Sequence, residues 1–201
     1  MQKDTSSPAN KTHAAPHRLA WLLRAAGAVV LAGVLVALAG RIDGFGPAVL
    51  YVASWVILPH VFLGVHVFVH HLRAVSPVQN VLDVIAFVLL FCAILSFRST
   101  TLWAAWFAGV FAVAILKYAL TLRSDLPKAL HAYAREKILL ETPAVFLFAL
   151  AALVVHRFPE AHLLARAIEV AMLVCAVLFA FWMIGVRRVY HRVAHAGDEA
   201  A

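Results

Sequence analysis

AVLYVASWVILPHVFLGVHVFVHH, residues 48–71, runs for twenty-four residues without one Asp, Glu, Lys or Arg. A helix of that length rises about 36 Å at ~1.5 Å per residue, enough to cross a hydrocarbon core of about 30 Å. Lipid offers no water to satisfy backbone N–H and C=O groups, so such a run is expected to be helical. Five further stretches read the same way: 19–39, 81–97, 102–122, 138–156 and 162–187. We expect an all-α, polytopic transmembrane bundle of six spans.

Composition supports this. With 64% hydrophobic and 13% charged residues among 201, the chain lies far from soluble averages. The expected organisation is a polar segment, 1–18, a six-helix domain, 19–190, and a tail, 191–201. Only the connection 123–137 is long, and its part DLPKALHAYAREK, 125–137, reads either as a short amphipathic surface helix or as a charged loop. Ala37-Leu38-Ala39 resembles a signal-peptidase site, but the long apolar run and extended polar flank predict an uncleaved first helix. Cys92 and Cys175 fall inside spans, where a thiol is a small apolar filler.

Lys and Arg accumulate in cytoplasmic loops. Thirteen of the seventeen lie on one side of the expected spans and Arg41, Arg98, Arg157 and Arg166 on the other. Both termini are therefore expected in the cytoplasm, in a bacterial inner membrane. The net charge of +7 suits anionic headgroups, and nothing in it calls for nucleic acid. The expected partner is the lipid bilayer, with other membrane subunits or a homo-oligomer as further candidates.

Four imidazoles interrupt the opening stretch. His60 follows Pro59 near mid-membrane, and Gly64 shares its stripe with His71. His66 and His70 stand at i and i+4, a spacing that lets two rings meet one metal ion from a single helix. HRVAH repeats that spacing with His191 and His195, and His131 sits in the long connection. Imidazole ligates haem iron and transition metals, so His60, His66, His70, His71, His131 and His191 form a candidate site for haem b or another metal in redox chemistry.

Other ionisable residues gather at the same depth. Asp83, placed in the first turn of the third span, Lys117, Glu136 and Glu141 make a candidate polar relay or ion pair, because intramembrane charges are costly and usually functional. Arg166 and Glu169, at i and i+3, are expected to pair on the periplasmic side. Ser99, Thr100 and Thr101 read as caps for the fourth helix. Trp103 and Trp106 read as residues of the membrane interface.

Two likenesses bear on the redox reading. REKILLETPAVFLFALAALVVHRFP, residues 135–159 and about an eighth of the chain, resembles the last helix of the bacterial membrane protoporphyrinogen oxidase family, which implies haem. No other landmark of that family is evident, and no site residue is carried over. The cytoplasmic-side histidines resemble those of membrane desaturases and hydroxylases, but HVFVHH is the only cluster of their paired-histidine kind. Three functions follow as expectations: metal or haem redox chemistry; proton or cation transport through a His/Asp/Glu/Lys relay, with bends at Pro59 and Pro143; and a non-catalytic subunit of a membrane complex.

Overall fold

The computed structural model describes residues 15–69, 76–126 and 128–198, with side chains at 22, 25–59, 76–126, 128–186 and 188. Among the described residues six helices follow one another: α1 Ala15–Leu38, α2 Phe45–Val69, α3 Pro77–Leu95, α4 Thr100–Leu122, α5 Lys128–Arg157 and α6 His162–Asp198. A 3₁₀ turn at Ala39–Arg41 follows α1, and no strand occurs among the described residues. Over the described residues four helices, α3 to α6, are long and apolar enough to cross a membrane. Two further apolar segments, Ala25–Arg41 and Phe45–Pro59, are shorter over the residues described.

Helix boundaries have local causes. α3 opens on a capping box: Gln79 N–H donates to Ser76 Oγ at 3.3 Å, and Ser76 N–H donates to Gln79 Oε1 at 2.9 Å. Pro77 fills the first helical position, where its missing N–H costs nothing. Leu102 N–H donates to Ser99 Oγ at the start of α4, as the sequence led us to expect. Gly44 takes φ +90° just before α2, a conformation that favours glycine.

The long connection is a correction. It is neither a surface helix nor a loop from Lys128 onward; it is the first part of α5, and Ala129, Leu130, Tyr133, Ala134 and Lys137 are buried in it. The apolar i, i+4 stripe gives those turns something to pack on, so the helix continues without a break. Pro143 sits inside α5 on an exposed face, and Thr142 Oγ1 donates to Ile138 O, one turn back, at 2.7 Å.

Packing runs in chain order, with α3 on α4, α4 on α5 and α5 on α6, while α2 rests against α6 and α1 against α2. Small residues allow close approach: Ala104, Ala108, Ala144, Ala151 and Ala152 are all buried where α4 and α5 meet the core. Trp103, Phe107, Phe111 and Phe148 fill its centre. Val84, Val88, Phe146, Leu150, Phe181 and Trp182 point outward, whereas Asp83, Lys117, Lys137, Glu141 and Glu169 are buried. Apolar outside and charged inside is the reverse of a soluble protein, and it marks an integral membrane protein.

Candidate functional site

A ladder joins the start of α3 to the end of α4. Gln79 and Asp83 stand one turn apart on α3, as do Thr121 and Lys117 on α4, so the antiparallel pair meets in two rungs. Lys117 Nζ donates to Asp83 Oδ1 at 2.5 Å. Gln79 Nε2 donates to Thr121 Oγ1 at 2.9 Å, and that hydroxyl donates to Lys117 O at 3.0 Å. The capping box matters here, because it fixes the Gln79 side chain from one end while Thr121 holds the other.

α5 supplies the facing wall. Tyr133, Lys137 and Glu141 recur every fourth residue and lie on one stripe. Lys137 forms an ion pair with Glu141 one turn on. Its ammonium also reaches Met183 Sδ on α6 at 3.6 Å and lies 5.6 Å from the Tyr118 ring centroid on α4. Tyr118 and Tyr133 meet edge to face with centroids 6.0 Å apart.

Both ion pairs open on one cavity of about 40 Å³. Asp83, Lys117, Tyr118, Lys137 and Glu141 make its polar lining, and Phe87, Val110 and Phe111 close its apolar side. Two acids and two bases sum to zero charge when both pairs are ionised, which lessens the cost of taking them out of water. The lining groups can accept, donate and exchange protons, and the space between them suits ordered water.

Beyond Phe111 the interior is filled by aromatic rings. Its ring packs on Phe148 at 5.5 Å and Phe179 at 5.8 Å, and Trp103 lies 4.4 Å from Phe107. A second polar group follows at the other end of α4. Trp103 Nε1–H donates to Ser54 Oγ at 2.9 Å, and Thr100 Oγ1 donates to Glu169 Oε1 at 2.6 Å. Lys117 and Thr100 are separated by about 25 Å along α4, so an aromatic plug divides two polar layers.

Several expected residues meet and others do not. Asp83, Lys117 and Glu141 come together, and Asp83 lies nearly two turns into α3 because that helix begins at Pro77 rather than at 81. Glu136 is half-buried and does not line the cavity. His131 Nε2 lies 2.9 Å from Ser124 O, to which it donates, and so ties down the α4–α5 turn. Arg166 is exposed, and Glu169, expected to pair with it, turns inward to Thr100 instead. That turn is possible because Gly46 has no side chain: a Cβ there would stand 2.7 Å from both Glu169 carboxylate oxygens. Trp103 is wholly buried, and its indole N–H donates to Ser54 Oγ inside the bundle.

The side chains of His60, His66 and His191, and all of His70 and His71, lie outside the described residues. Among the described residues no group of three or more His, Cys, Asp or Glu is placed to hold a metal ion. Sequence reasoning missed Lys137, Tyr118 and Tyr133. The signal for Lys137 was its i, i+4 relation to Glu141, hidden because Lys137 had been assigned to the connection.

Comparison of the chain with protein families, curated proteins and solved structures gives no match. The likeness of residues 135–159 to one helix of a haem-binding family therefore gains no support.

Proposed function

We propose that this protein moves protons or a cation across the membrane through the layer formed by Asp83, Lys117, Lys137 and Glu141. One observation carries the reading: two buried acid–base pairs, drawn from three apolar helices, line a single cavity. A purely structural ion pair needs no such space beside it, and a buried pair is weak support for stability. In this reading all six helices span a bacterial inner membrane and both termini are cytoplasmic, in line with the Lys and Arg bias. The charged layer then lies toward the cytoplasm and the Glu169 layer toward the outside, with the aromatic plug between them.

The test is flux in liposomes. The purified chain, reconstituted around a trapped pH dye, should dissipate an imposed ion or pH gradient faster than protein-free vesicles. Asp83→Asn and Glu141→Gln should each slow it by about tenfold or more, equivalent to ~1.4 kcal/mol on the barrier. Arg98→Ala, at an exposed ion pair with Asp43, should leave it unchanged. Wild-type flux at the protein-free rate, or both variants matching wild type, refutes the proposal. Haem b or a transition metal on the α2 histidines is the competing reading. A Soret band or stoichiometric metal in the purified protein would restore it.

A further inference from the structure

Resting on the transport reading, we infer that the species handled by the charged layer is the proton, and that the resident lysines exclude alkali-metal cations. Lys117 and Lys137 place two ammonium groups on the wall of the same cavity as the two carboxylates. An ammonium has three donors and no acceptor, so half of the charged lining cannot coordinate a cation and repels it. A hard cation is held by about six oxygens. The carboxylates of Asp83 and Glu141 carry four between them, and one on each already accepts from a lysine.

Size points the same way. Each water needs about 10–15 Å³ of such space, so the cavity of about 40 Å³ has room for roughly three to four. An alkali ion keeping about six waters needs about 60–90 Å³ on the same scale, roughly twice this space, and an organic substrate more again. An ion shedding its water would find the four carboxylate oxygens, two of them already accepting from lysines, and the Tyr118 hydroxyl, short of about six. A proton needs neither a shell nor a cage, because it travels as O–H and N–H bonds.

The layer can pass one proton per cycle with atoms and charge balanced. An O–H bond forms when a carboxylate of Asp83 or Glu141 takes a proton arriving from one side. Its lysine partner then breaks an N–H bond and releases a proton to cavity water on the other side. Transfer from the carboxylic acid to the neutral amine restores the charged pair. One proton has entered and one has left, and no other reactant is consumed.

The experiment uses the full chain in liposomes with the membrane potential clamped and a trapped pH dye. Proton flux is measured in sodium, potassium and choline media of equal ionic strength, alongside uptake of radioactive sodium. The expected result is a proton flux that varies by less than about twofold among the three media, because an ion absent from the path adds nothing to its barrier. Sodium uptake should equal that of protein-free vesicles. Flux that follows the sodium or potassium gradient overturns the inference while leaving cation transport standing. Vesicles that move neither protons nor alkali cations overturn both.

Discussion

Removing one partner of the Asp83–Lys117 pair should cost far more than removing both. Breaking a buried pair strands a charge and costs about 3–5 kcal/mol, whereas an apolar replacement of the whole pair is close to neutral. Screening offers little relief, since the two side chains are only 5% and 10% exposed. The two single variants should nevertheless differ. Lys117 lies five residues before the end of α4, about 7–8 Å along the axis, and a freed lysine can bend its long stem toward the headgroups. Asp83 lies six residues inside α3, about 9 Å, and its short side chain cannot make that journey. Asp83→Leu should therefore cost about 3 kcal/mol and Lys117→Met about 4–5 kcal/mol, the low and high ends of the range. The double variant should fall within about 1 kcal/mol of wild type. The assay is reversible unfolding from mild micelles by added dodecyl sulfate, followed by tryptophan emission. A double variant as unstable as the two singles combined, or Asp83→Leu costing more than Lys117→Met, would refute the reasoning.

Three further outcomes follow from the other polar contacts. Gly46→Ala drives a methyl group against the Glu169 carboxylate, with Cδ only 2.9 Å away, and should cost about 1–3 kcal/mol in the same titration; in a Glu169→Ala background the added cost should vanish. Trp103→Phe takes the donor from Ser54, and Ser54→Ala strands the indole N–H. Each should lower stability by about 1–3 kcal/mol, with a double-mutant cycle showing that they share one interaction. Arg98→Ala, at a pair whose side chains are 55% and 84% exposed, should change stability by no more than about 0.5 kcal/mol.

Where apolar length alone decides the outcome, the sequence was readable: α3 to α6 are spanning-length helices at the expected places. Their ends were less so, because polar residues extend them. Gln79 belongs to α3 through its cap, and Lys128 to Lys137 belong to α5 because one side of that charged segment is apolar. Those few residues decide the site. They set Asp83 deeper and convert Lys137 from a loop cation into a buried partner of Glu141. The burial of Trp103 was not legible for a related reason: its partner, Ser54, lies 49 residues away, and no local pattern announces it. Asp83, Lys117 and Glu141 were legible because charge within an apolar run needs a reason. Which of them touch depended on helix pairing, which single-sequence periodicity does not encode.

The four-residue spacing of Tyr133, Lys137 and Glu141 has a mechanical consequence. A helix backbone is stiff, so these three groups cannot be adjusted one by one. If α5 turned like a screw by a single residue, about 100°, all three would swing away from Tyr118 and the Asp83–Lys117 rung together. The hydroxyl, the ammonium and the carboxylate thus share one shaft, and the layer would engage or disengage as a whole rather than by degrees.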